Sequence, residues 1–216
     1  MMYLCRLICA DPFQPYRKVI WQNTLMGLFF GEISGEGIAI LTEDAQHGNY
    51  CEAWHGVKCT NGIVTEVRYR RFAHGNFNIH ALPPSTQVIW IFQCRQTFSI
   101  DTRLLPRELV TLTLSSNKIH GRIDLTTLPS RLRKAHLWGN KLSGPIDLRE
   151  LPSTLLVIEL RRNKIKQHTV LYDNLPMNIT TISLSYPEVG EIHSVKPSRA
   201  VANKRLFRGF PPKRVN

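Results

Sequence analysis

The sequence predicts a solenoid of the α/β type, with a parallel β-sheet on its concave side, an irregular convex side and about six repeats. Three observations carry this. Leu-Pro pairs return at Leu82-Pro83, Leu105-Pro106, Leu128-Pro129, Leu151-Pro152 and Leu175-Pro176, in steps of 23, 23, 23 and 24 residues. A fixed period of this length is the imprint of stacked supersecondary units, and it outranks local signals. Each pair then introduces the same apolar frame ending in a polar turn residue. Finally, a short Cys-Trp-Gly-Cys element precedes the frames, where an open-ended stack needs an end piece.

Taken in order, the first frame is loose and runs through Val64, Val67 and Tyr69 into Phe72. In the second, Ile89 and Ile91 hold the apolar positions and Cys94 the turn. Three regular units follow: Leu109, Leu112, Leu114, Asn117 and Ile119; Leu132, Ala135, Leu137, Asn140 and Leu142; Leu155, Ile158, Leu160, Asn163 and Ile165. The last unit keeps Ile179, Ile182 and Leu184 but places Pro187 at the turn, so the ladder is expected to end there. This frame resembles the leucine-rich repeat. Its alternating residues read as a short strand with one side chain in two pointing inward. The Asn amide can satisfy backbone groups that the turn would otherwise bury unpaired. Stacked units bury their leucines in one continuous core that a single unit cannot make. Gly121-Arg122-Ile123 and Gly144-Pro145-Ile146 resemble the G-x-I segment of plant-type repeats, with a second short strand or a tight turn on the convex side.

The element Cys51-Glu52-Ala53-Trp54-His55-Gly56-Val57-Lys58-Cys59 resembles the C-x-x-W-x-G-V-x-C part of the N-terminal cap of plant-type leucine-rich repeat proteins, with the run Ile38–Leu41 matching the cap's helix. The resemblance implies a disulfide between Cys51 and Cys59, subject to the redox compartment; a further adjacent cysteine usual in the family is missing. Residues 1–37 lie outside the resemblance. Met1 to Ala10 is apolar but broken by Arg6 and followed by Asp11, a poor secretory core. Val19 to Phe30 is too short and polar to span a bilayer, and the segment reads instead as a strand or helix packed on the cap. The expected organisation is therefore an N-terminal segment over 1–37, a cap over 38–63, the solenoid over 64–192 and a basic tail over 193–216.

The net charge of +12 is concentrated toward the C-terminus, where residues 175–216 carry 7 basic and 2 acidic side chains. Lys196, Arg199, Lys204, Arg205, Arg208, Lys213 and Arg214 follow the last acid, Glu191, with Phe207 and Phe210 among them. Prolines discourage a helix there. Such a tail reads as an extended arm for phosphate backbones or as a solvated end. Strand alternation places Arg68, Arg70, Arg71, Trp90, Phe92, Lys134, His136, Trp138, Arg161 and Arg162 on the concave face. Large outward aromatics flanked by cations read as a partner surface.

No phosphate-binding Gly-rich loop, H-E-x-x-H, paired C-x-x-C or serine elbow is present, and the histidines are scattered. We therefore expect no enzyme, no cofactor, no metal and no small-molecule substrate. The function expected is a protein-binding scaffold gripping another protein on the concave face. Its alternatives are an RNA-associated subunit of a ribonucleoprotein, such as an organellar ribosome, and a secreted or receptor-like ligand binder. An intracellular location, the mitochondrion included, is favoured over secretion.

Overall fold

A computed structural model describes residues 14–42, 49–197, 200 and 204–216. In chain order its helices are α1 (Gln14–Phe30) and α2 (Gly35–Leu41). Its strands are β1 (Glu32–Ile33), β2 (Val57–Thr60), β3 (Ile63–Arg70), β4 (Gly75–Asn76), β5 (Val88–Phe92), β6 (Thr111–Thr113) and β7 (His120–Arg122). They continue with β8 (Lys134–His136), β9 (Lys141–Ser143), β10 (Val157–Glu159), β11 (Gln167–Tyr172), β12 (Thr181–Ser183), β13 (Val189–Ser194) and β14 (Phe207–Arg208).

One eight-stranded sheet runs in the order β14-β12-β10-β8-β6-β5-β3-β2. Every pairing in it is parallel except β2 with β3. The Leu-Pro pairs explain how the chain enters each strand. Pro83, Pro106, Pro129, Pro152 and Pro176 each accept a hydrogen bond from the backbone N–H three residues on, between 2.9 and 3.1 Å. The same tight turn is thereby repeated at every corner. Across from the sheet, β7 pairs with β9 and β11 with β13, both parallel, and short 3₁₀ turns fill the other convex segments.

The turn asparagines stack as the repeat frame predicts. Asn117 Nδ2 donates to the carbonyls of Ile91 and Leu114, at 2.8 Å each, and its Oδ1 accepts from the amides of Cys94 and Gln96. Asn140 donates to Leu114 and Leu137 and accepts from Ile119. Asn163 donates to Leu137 and Leu160 and accepts from Leu142. Each amide joins its own turn to the previous one, so the polar groups of the turn are paired inside the stack. Cys94 fills the same position as a buried free thiol that donates to Phe92 O, and burial pushes its pKa up. The residue before each of these positions is left-handed: Gln93, Ser116, Gly139 and Arg162, and likewise Arg71 before Phe72. With the inward leucines this is a leucine-rich repeat solenoid.

At the N-terminal end, Met26, Phe29 and Phe30 of α1 are buried against the first repeat. Phe29 stacks on Phe77, which stacks on Tyr69; Phe30 stacks on Trp54. Gln22 binds the backbone of the first strand from α1: its Oε1 accepts from Val64 N at 2.8 Å and its Nε2 donates to Gly62 O at 3.1 Å. The principal helix covering this end is thus α1, which lies within residues 1–37 and packs on the cap. Cys51 and Cys59 are disulfide-bonded, with Cα atoms 5.6 Å apart.

The C-terminal end corrects an expectation. The basic tail is not a free extended arm. Its residues 207–208 form β14 on the edge of the main sheet, and Phe207, Phe210 and Val215 are buried. Asn216 N donates to Ile192 O at 2.8 Å, and Ser194 N donates to Asn216 O at 2.7 Å. The apolar residues interleaved among the cations cover the leucines of the last turn, and net charge obscured that role. Arg199 lies outside the described residues. Among the described residues no helix is long and apolar enough to cross a membrane.

Candidate partner-binding face

Strand register turns the outward side chains into rows across the concave sheet. One row reads Arg68, Trp90, Thr113, His136, Glu159 and Ser183. The next begins with Arg70 beside Phe92, and the 23-residue period continues it through Ser115, Trp138 and Arg161. Aromatic rings thus come from β5 and from the residue just past β8, while the strand between them carries only hydroxyl side chains. The result is a notch of about 360 Å³ lined by Trp90, Phe92, Thr111, Thr113, Ser115, Lys134, His136 and Trp138.

The rings form one contiguous cluster. Trp90 and Phe92 centroids are 5.9 Å apart and Phe92 and Trp138 are 6.2 Å apart, within the usual range for interacting aromatics. All three are half-buried. The Arg70 guanidinium lies 5.8 Å above the Phe92 ring, a cation–π geometry. Under the rings the Ser115 hydroxyl is buried without a hydrogen-bond partner. Such a group costs free energy unless something supplies one.

The charges on the face are arranged unequally. Partial burial pushes the Glu66 carboxyl up, but hydrogen bonds from Arg68 at 2.8 Å and Lys58 at 3.0 Å outweigh it and hold the group below its ordinary range. Glu159 meets His136 Nδ1 at 2.8 Å. Both carboxylates of the inner rows are therefore already engaged. Arg70, Lys134 and Arg161 remain exposed around the notch. Arg71 and Arg162 occupy left-handed turn positions; Arg71 Nε donates to Gln93 Oε1 at 3.3 Å, and both side chains are exposed at the rim.

Two of the tail cations are held by local partners. Arg214 donates to Glu191 Oε1 at 2.7 Å, and Lys204 Nζ donates to the Val215 carbonyl. Arg208 lies on the edge strand, and Lys196 and Lys213 are exposed. Two features were missed in the sequence. One is the notch itself, whose signal was a unit with small inner residues between two units bearing aromatics. The other is a set of glutamines working like the asparagines: Gln96 Oε1 accepts from Phe77 N at 2.7 Å, and Gln167 Oε1 from Ile146 N at 2.8 Å.

No protein-family model matches the chain, and no curated protein matches it. Solved structures similar to it include the BIR3–SERK2 complex from Arabidopsis thaliana, at 21% identity and a TM-score of 0.49 over 72% of this chain and 86% of that one. Another is a Pollen Receptor Kinase 3, at 17% identity and 0.43 over 73% and 88%. A third is the LRR ectodomain of the plant membrane receptor kinase GASSHO1/SCHENGEN3 from Arabidopsis thaliana in complex with CASPARIAN STRIP INTEGRITY FACTOR 2, at 15% identity and 0.38 over 82% and 34%. The solenoid assignment rests on the asparagine ladder and the parallel sheet described above.

Proposed function

We propose that the protein is a non-catalytic binding module that holds an acidic segment of another protein on its concave face, with an apolar side chain of that partner seated in the notch. The observation that carries this is the row Arg70, Phe92, Trp138, Arg161 above a floor of small hydroxyl residues. Exposed contiguous aromatics are costly in water and concentrate binding energy when covered. With Glu66 and Glu159 already paired, the remaining exposed cations favour a partner of negative charge, which they would steer as well as hold.

The Cys51–Cys59 bond favours an oxidising compartment, whereas the sequence favoured an intracellular location, the mitochondrion included, over secretion. The RNA-binding reading loses the free arm on which it rested, because the tail is built into the solenoid's end.

The test is a peptide-display selection on the full chain, followed by fluorescence anisotropy of the enriched peptides. We expect them to combine Asp or Glu with one large apolar residue. Trp138→Ala should weaken binding by about 30-fold, equivalent to about 2 kcal/mol for a central aromatic anchor. Enrichment of basic peptides, or equal binding by Trp138→Ala, overturns the reading.

A further inference from the structure

We infer that Asn178 is an acceptor for N-linked glycosylation. Asn178-Ile179-Thr180 is an N-x-T sequence with no proline at its centre. No other asparagine in the chain is followed two residues later by Ser or Thr. Asn49-Tyr50-Cys51 is the nearest other case, and its cysteine is locked in the disulfide to Cys59.

Such tripeptides arise by chance, so position has to support the assignment. Asn178 sits on the turn after Leu175-Pro176, at the corner leading into β12. Its side chain is exposed, and the preceding Met177 is 96% exposed, so the corner is open among the described residues. The preceding corners place Ser85, Glu108, Arg131 and Thr154 at the equivalent site, all able to face water. The hydroxyl of Thr180 is not demanded by the repeat. Its equivalents are Gln87, Val110, Arg133 and Leu156, and only Thr180 adds a side-chain bond to Leu156 O, at 3.0 Å. The corner precedes a strand two removed from β8, on the sheet's flank, so a glycan there leaves the notch open.

The disulfide is the second, independent observation. A chain that forms the Cys51–Cys59 bond passes through an oxidising compartment, and in eukaryotic cells that is also where asparagine glycosylation occurs. In the transfer, Asn178 Nδ2 forms a bond to the anomeric carbon of an oligosaccharide carried on a lipid pyrophosphate. The bond from that carbon to the pyrophosphate oxygen breaks, the lipid pyrophosphate leaves with the electron pair, and the amide nitrogen loses one proton. No oxidant or reductant takes part.

The full chain, secreted from eukaryotic cells behind a cleavable signal peptide, provides the test. Peptide-N-glycosidase F should remove one discrete glycan and leave Asp at position 178 in the peptide map. Asn178→Gln and Thr180→Ala should abolish the mobility shift, whereas Thr180→Ser should keep it. Non-reducing peptide mapping of the same samples should find Cys51 joined to Cys59, which separates loss of the acceptor from loss of the fold. A secreted, disulfide-bonded chain with unmodified Asn178 overturns the inference, as does a glycan that persists in Asn178→Gln.

Discussion

The two ends of the solenoid face the same physical problem and answer it with different chemistry. An open stack of repeats exposes its leucines at both ends. At the N-terminal end side-chain bulk covers them: Met26, Phe29 and Phe30 from α1, joined to Trp54, Tyr69 and Phe77, with the disulfide closing the loop beneath. At the C-terminal end the backbone does much of the work. The tail adds the strand β14 to the sheet edge, ties Asn216 to Ile192 and Ser194, and buries Phe207, Phe210 and Val215, with Leu206 packed beside them. A segment rich in cations can therefore be structural, provided its apolar residues fall where the last turn is bare. Its charges stay outward and do not enter the core.

That comparison is sharpened by removing each closure in turn. The largest effect is expected from deleting residues 204–216, which uncovers the last turn. Thermal unfolding followed by circular dichroism should lose its single transition, the C-terminal repeats melting first. Phe207→Ala alone should cost about 3–5 kcal/mol, the usual cost of emptying a buried aromatic site. A free-arm tail would leave both curves unchanged. At the other end, replacing Cys51 and Cys59 together with Ser should cost about 2–3 kcal/mol in a urea titration, because the bond closes a short loop. Between the ends, Asn140→Ala should cost about 1–3 kcal/mol by leaving buried carbonyls and an amide unpaired.

The smallest effect concerns Glu191. The hydrogen bond from Arg214, and then that from His193, hold its carboxyl below the ordinary range. A depressed folded pKa means the stabilisation is present above the ordinary glutamate range and is lost as pH falls through the folded value. Arg214→Ala should therefore lower the melting temperature slightly at neutral pH. The difference from the parent should close in acid. A difference that does not change with pH would show that Arg214 acts through packing instead.

The parts of this fold legible in the sequence were those imposed by periodicity. Asn117, Asn140 and Asn163 recur at one spacing because each must bond the turn before it, so their roles could be read without coordinates. The Cys51–Cys59 bond was legible only as what a resemblance in spacing implied. The packing face of α1 was not, because its buried Met26, Phe29 and Phe30 alternate with exposed Ile20, Trp21 and Leu28, which blurs the one-sided pattern of a packed helix. The tail was misread because Phe207 and Phe210 were counted beside cations and not against the leucines they cover. On the concave face, strand alternation placed Trp90, Phe92 and Trp138 outward. The notch depends on what lies between them, and Thr111, Thr113 and Ser115 attract no notice until the register sets them under the rings.

The central claim is that the notch seats a partner's side chain, and the most direct measurement fills it from within. Thr111→Trp adds a ring from β6, between the repeats that carry Phe92 and Trp138, at a half-exposed outward position away from the inward leucines. Affinity for a selected acidic peptide should be measured by isothermal titration on the parent and the variant, alongside their melting temperatures. We expect affinity to fall by at least about tenfold, or about 1.4 kcal/mol, with the melting temperature unchanged. Equal affinity in a folded Thr111→Trp variant would contradict the claim and place the partner elsewhere on the solenoid.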